Sequence, residues 1–316
     1  MKVFLLSILY VLSGLAAEQP VRELSTRAMP FGNSPVPLFR HGYVVTFPPG
    51  AAQGSPISSI MYGFSAYAPD GSFAFSKNIE VPDGREPVVR DVDFDADGNA
   101  VVAATARGGP SGSLFGLLLL DRTGRQTGFI DTGRYSPAHI AVAPDRSIWT
   151  LGWQMDPSHP PYPERQDYMI VRHLSADGKE LSGCLPRSSF PAGLEPGLSG
   201  AGVHIEVTQD RVGVLASSGQ TSANAEWIEL DLNGNLLNRT RVDNMVRNVH
   251  LAAFTADDHA YLSDRSGHVY TLDGASHTWK AIQKQSAVFM GADGQNLVYI
   301  ESYEGPLQLQ WFNQPQ

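Results

Sequence analysis

One cysteine, Cys184, stands in a chain of 316 residues, so no disulfide can form within it. Stability must come from packing. The thiol lies in the apolar stretch Leu181 to Leu185, with no His or Asp nearby in sequence, and reads as a small buried side chain. Basic runs are also missing. The 23 Lys and Arg are scattered against 32 Asp and Glu, for a net charge of -9. Nucleic-acid binding needs clustered Lys and Arg to displace counterions, so that class is excluded, and an anionic membrane surface with it. After the amino terminus no apolar run approaches the ~20 residues a spanning helix needs. No window keeps a helical apolar period over three turns, and 31 Gly and 22 Pro interrupt most candidates. The H-E-x-x-H, Walker and G-x-S-x-G patterns are absent, which removes the common zincin, P-loop and hydrolase-elbow chemistries.

The first residues carry one Lys, an apolar core from Val3 to about Leu15, then Ala16 and Ala17. This is the pattern of a cleaved signal peptide over residues 1–17. Residues 18–316 are then the mature domain, expected to be secreted or periplasmic, monomeric and without a membrane span.

What the chain has in quantity is hairpins. Arg90 to Thr105, R-D-V-D-F-D-A-D-G-N-A-V-V-A-A-T, reads as strand, Asp97-Gly98 turn, strand. Asp-Gly is expected to turn with positive φ at both central residues. Copies of this hairpin start near His139, His204, His250 and Ala287. A second type alternates with it, turning at Thr123-Gly124, Asp177-Gly178, Asn233-Gly234 and Asp273-Gly274. Two hairpins in series make a four-stranded unit. Taking Val92, Ile140, Ile205, Ala252 and Phe289 as equivalent, the units are spaced by 48, 65, 47 and 37 residues. Four strands per roughly 40–50 residues is the signature of propeller blades. A first unit at Tyr43 makes six. The last unit shows three strands, and a spare strand near Val21 to Thr26 would complete it and close the ring, which removes open sheet edges. The expected fold is all-β: a six-bladed β-propeller of four-stranded antiparallel blades, closed by an N-terminal strand.

The stretch H-I-A-V-A-P-D-R-S-I-W-T, His139 to Thr150, resembles the I-A-V-D-x-x-G-x-I-Y-V pattern of NHL-type six-bladed propellers. That superfamily includes the gluconolactonase-like propellers and streptogramin lyase. The resemblance covers about residues 40 to 316 and implies a fold; function must be argued from a site. Gluconolactonase-like enzymes hold a divalent cation with a Glu, an Asn and an Asp from separate blades. Asp91, Glu206 and Asn248 are nearby residues of those types, without a matching local motif.

In a propeller the first strand of each blade lines the axis. The residues placed at those starts are Arg90, Asp91, His139, His204 and His250. Imidazoles at one level in different blades suit metal binding or acid–base work; the plain alternative is a hydrated channel lined by polar side chains. Asp93, Asp95 and Asp97 before Gly98 resemble the opening of a calcium loop, but its twelfth position is Ala104 and a strand follows, so a hairpin explains them. The insertion Trp153 to Asp167 carries Trp153, His159, Tyr162 and four prolines. Prolines restrict a loop, and Trp and Tyr often anchor contacts. It joins second and third strands, on the face where inner strands start.

Two functions follow as expectations. The first is an exported binding or scaffolding module for a protein, small molecule or carbohydrate, contacting it through the inner-strand starts and the 153–167 loop. The second is a hydrolase or lyase assisted by a divalent cation at the channel mouth.

Overall fold

The hairpins fold into six four-stranded antiparallel sheets in a computed structural model. It describes residues 22–24, 37–47, 62–108, 112–156, 158, 167–190, 203–217, 225–242, 246, 249–264, 266–282, 288–300 and 307–313. The leader reading, His159 and Tyr162 lie outside these. Blade 1 runs from Leu38 to Asn78, blade 2 from Arg85 to Asp131, and blade 3 from Tyr135 to Pro186. Blade 4 runs from His204 to Arg241, blade 5 from Val249 to Ala281, and blade 6 from Val288 to Asn313. The fourth strand of blade 6 is Arg22–Leu24, which pairs antiparallel with Leu307–Asn313. The chain is a six-bladed β-propeller.

The ring is held by apolar faces that alternate along each strand, so that each sheet packs on both neighbours. Val92 and Phe94 pack with Val45 and Phe75 between blades 2 and 1. Ile140 and Val142 meet Ala103 and Leu117 between blades 3 and 2. Equivalent clusters join blades 3 and 4, 4 and 5, and 5 and 6. Phe39, Val44 and Tyr67 then meet Val298, Ile300 and Trp311, which closes blade 1 on blade 6.

A second contact repeats at the rim. Gly124, in the last turn of blade 2, lies against Phe75 on the fourth strand of blade 1; a β-carbon there would stand 2.5 Å from the Phe75 ring. Gly178 meets Ile130 in the same way, and Gly234 meets Cys184. Cys184 is thus an inter-blade packing residue, and burial pushes its thiol up to about 12.

Three expectations need correction. Tyr43–Thr46 is the second strand of blade 1, not its start. The inner strand is Leu38–Arg40, joined to it by the two-residue turn His41–Gly42, whose φ values are both positive at 45° and 81°. Three residues, Leu-Phe-Arg, carry too little apolar alternation to read as a strand. Secondly, the Asp-Gly turns are positive at Gly98, Gly71 and Gly178 but not at the preceding Asp. An Asx turn shapes them instead: Asp95 Oδ1 accepts the backbone N–H of Asp97 at 2.9 Å and of Asn99 at 2.8 Å. At Asp273-Gly274 the positive residue is His277. Thirdly, Trp153 is not in a loop. It belongs to the strand Ile148–Gln154, packs on the core between blades 3 and 4, and meets Phe115 edge to face.

Candidate functional site

The inner strand is the edge of its sheet, so alternate N–H groups of it face the axis without a ladder partner. In blade 3 those groups are Ile140 and Val142. Blade 2 satisfies both. Asp91 Oδ2 accepts Ile140 N–H at 3.1 Å, and Asp93 Oδ2 accepts Val142 N–H at 2.6 Å. Residues i and i+2 of one strand therefore cap residues i and i+2 of the next. Both aspartates are buried.

Blade 1 contributes the counter-charge. Arg40 is 5% exposed and its guanidinium lies 3.6 Å from Asp91 Oδ1 and 3.6 Å from Glu206 Oε1. Its Nη1 donates to Phe39 O at 3.2 Å, its Nη2 lies 3.4 Å from His204 Nδ1, and its buried Nε has no partner. His41, at the turn, contacts Asp93 Oδ1 through Nδ1 at 2.9 Å. His204 Nε2 lies 2.5 Å from Glu206 Oε1. His139 Nδ1 is 3.6 Å from Asp91 Oδ2, its ring centroid is 6.4 Å from that of His204, and its buried Nε2 has no partner. Side chains from four blades thus form one ionic cluster.

These contacts fix the proton positions. A guanidinium only donates and an ionised carboxylate only accepts. His204 sits between them, so Nδ1 is the acceptor for Arg40 and Nε2 carries the proton given to Glu206. The ring is neutral. Burial, followed by the charge of Arg40, pushes the His204 pKa below the ordinary imidazole value, against the pull of Glu206. Burial opposes ionisation of Glu206, but the His204 contact and the charges of Arg40 and His41 outweigh it and keep the carboxyl below its usual range. Asp91 is also opposed by burial, yet Arg40 and the neighbouring imidazoles hold it down at about 2. His41 goes the other way. The Asp93 carboxylate raises it to about 9, so it is an imidazolium at neutral pH.

Of the residues expected at the axis, Asp91, His139 and His204 converge and Arg90 does not; the side chain of His250 lies outside what the structure describes. A bulge explains Arg90. Register shifts separate Val89 from Asp91, Pro137 from His139 and Val249 from Leu251. The residue inside each bulge is Arg90, Ala138 or His250. Counting back from the turn, the partner of Asp91 and His139 in blade 5 is therefore Leu251. A slip of one residue reverses a side chain, and Arg90 accordingly donates from Nε to Thr105 on the second strand, at 3.3 Å. The residues missed were Arg40 and His41; Glu206 entered only as a residue type suited to a cation, Asp93 only as part of an acidic turn, and Asn248 lies outside the described residues. Alternation in Asp91-Val92-Asp93 and the R-H-G-Y turn between Phe39 and Val44 were the available signals.

The cluster does not fit a divalent cation. A guanidinium already stands between Asp91 and Glu206, and both imidazoles nearest to it turn nitrogens toward those groups. Among the described residues no three His, Cys, Asp or Glu are placed to hold a metal together. Asp93, Asp95 and Asp97 do not form a calcium loop either: they serve Val142 and His41, the Asx turn, and Arg146 respectively.

Two clefts lie away from the axis. One of about 460 Å³ lies between blades 4 and 5 beside Arg211, Glu229, Asp258 and His277; one of about 350 Å³ lies between blades 2 and 3 beside Tyr135, Arg172 and Glu180. Their arginines are already matched, Arg211 by Glu229 and Asp258, and Arg172 by Glu180 and Gln154. Neither approaches the axial cluster in the number of blades it draws on.

No family model matches the chain, and no curated protein matches it. Among solved structures it is similar to a protein of unknown function from Bacteroides caccae, at 13% identity over 75% of this chain and 78% of that one, with a TM-score of 0.48. That likeness carries no functional argument. No described helix is long and apolar enough to cross a membrane.

Proposed function

We propose that the protein is an exported binding module that takes a small polar ligand at the mouth of the axial cluster. Arg40 carries this reading. Closing a ring needs only apolar faces, and a buried ion cluster is often no more stable than a hydrophobic replacement. Here a guanidinium with five donors is buried with one donor orphaned, at a cost of about 1–3 kcal/mol. Polar groups kept against that cost mark functional sites more often than structural ones.

The mouth offers unused valences. His41 and Glu206 are the most exposed members, with 38% and 22% side-chain exposure. Among the described residues nothing bonds Glu206 Oε2 or His41 Nε2. A carboxylate acceptor and an imidazolium donor stand near each other at the exposed edge of the cluster, and a small molecule or sugar bearing both donors and acceptors suits them. His41 lies in the turn after an inner strand. In blade 3 the second strand ends at Gln154 and the third begins at Met169, at the opposite end of the blade from such a turn. The cluster is the better furnished. A metal-assisted hydrolase or lyase of the gluconolactonase type would need a cation where the guanidinium stands.

Thermal unfolding against a panel of sugars, amino acids, carboxylates and amines tests the proposal, since a ligand of the folded state raises Tm. A stabilising compound whose effect is lost in Glu206→Gln and His41→Asn supports it. No shift from any class counts against it, as does a shift that survives both variants and disappears when residues 157–166 are replaced by a Gly-Ser linker.

A further inference from the structure

Blade 1 is held at the axis by His41, which reaches Asp93 in blade 2, and by Arg40, which alone of the two also contacts blade 4. Its inner strand has three residues, Leu38–Arg40, and ends at the turn. From there Arg40 reaches Asp91 in the adjacent blade and both His204 and Glu206 in blade 4. It is a bolt across the channel as well as between neighbours.

We propose that His204 makes this bolt acid-sensitive: one proton on Nδ1 removes the acceptor that Arg40 uses, sets two cations together in a buried place, and frees blade 1 from blade 4. The proton comes from bulk water and no bond other than N–H is formed. The groups around His204 decide the outcome. Arg40 faces it from blade 1 and His139 from blade 3, and both oppose the added charge. Asp91 from blade 2 and Glu206 on its own strand favour it. In blade 5 the matching position is the apolar Leu251. His204 is 3% exposed, so water cannot screen the new pair. Neither carboxylate can move toward His204 to compensate, because Asp91 is committed to Ile140 N–H and Val92 N–H, and Glu206 already holds Nε2. The side chain that can leave is Arg40, whose contacts with His204, Asp91 and Glu206 are long, at 3.4 to 3.6 Å. The latch is shut at neutral pH and opens as pH falls below the ordinary imidazole value of about 6.5.

This inference rests on the cluster's geometry and not on what the site binds, so it is tested without ligand. Hydrogen exchange of the full chain is measured at about pH 7 and about pH 5, with intrinsic rates divided out. The hairpin Leu38 to Val45 should lose protection by about tenfold or more at the lower pH, while Ala260–Asp264 in blade 5 keeps its own. His204→Gln, which retains an acceptor and a donor without a titratable group, should show equal protection at both. Equal protection in the wild type, or the same loss in His204→Gln, overturns the inference. Should the variant not fold, the imidazole resonances of the wild type decide. Loss of protection in step with His204 titration supports the latch, and loss without it overturns the latch.

Discussion

Asp93 Oδ2 accepts the backbone N–H of Val142 at 2.6 Å, and through that bond blade 2 caps the free edge of blade 3. The other oxygen takes His41 from blade 1. One carboxylate thus ties three consecutive blades, and its neighbour Asp91 ties blades 1, 2 and 3 in the same way. Propeller blades touch mainly through apolar faces, which slide; these bonds fix their vertical register.

Replacing either aspartate should therefore act on the neighbouring blade. Asp93→Ala leaves Val142 N–H and His41 without their partner and should cost about 2–4 kcal/mol. Asp97→Ala, four residues along on an exposed turn, should cost under about 0.5 kcal/mol. Urea unfolding of both variants checks the contrast.

Two histidines with opposite shifts set the pH optimum of stability. His41 is raised to about 9 by Asp93. Its contribution is complete below the unfolded value of about 6.5 and fades as pH rises through 9. His204 is lowered, so the unfolded chain takes up a proton first and stability falls as pH drops below about 6.5. Tm should peak near pH 6.5. His41→Asn should flatten the alkaline side only, by about 1 kcal/mol or less because that ring is partly exposed, and His204→Gln the acidic side only.

Gly124→Ala should cost about 1–3 kcal/mol, combining the positive φ of 79° with a β-carbon driven into Phe75. Gly133→Ala shares the positive φ, at 64°, but has open space around it. It should cost about 1 kcal/mol, from the backbone alone. The difference in Tm between the two reads the rim contact.

Calcium should leave Tm unchanged. Each acid of the Asp93, Asp95, Asp97 run is committed to a different partner, so no shared set of oxygens remains to take a metal. A calcium-dependent rise in Tm, abolished by Asp95→Asn, would contradict this.

The blades were legible because Asp-Gly turns and apolar alternation are local signals, and their spacing reports the repeat. Ring closure by a strand near Val21 was legible for the same reason: blade 6 was one strand short. The site was only half legible. Asp91, His139 and His204 were found by aligning the repeats, but Arg90 was drawn in by a bulge that leaves no mark in composition. Arg40 was hidden because its strand is three residues long, and the role of Glu206, named only for its residue type, because it lies in contact with blade 1 through Arg40, far away in sequence. Closure of a ring creates those neighbours, and no local pattern encodes them.

The most direct test is a double-mutant cycle between Arg40 and Glu206, using Arg40→Met, Glu206→Gln and the pair, with stability measured by urea unfolding at neutral pH. If the cluster bolts blade 1 to blade 4, the two changes couple by at least about 1 kcal/mol, the double variant being less damaged than the sum. Additivity within about 0.3–0.5 kcal/mol would mean that the two side chains do not share a network, and the axial site would be contradicted.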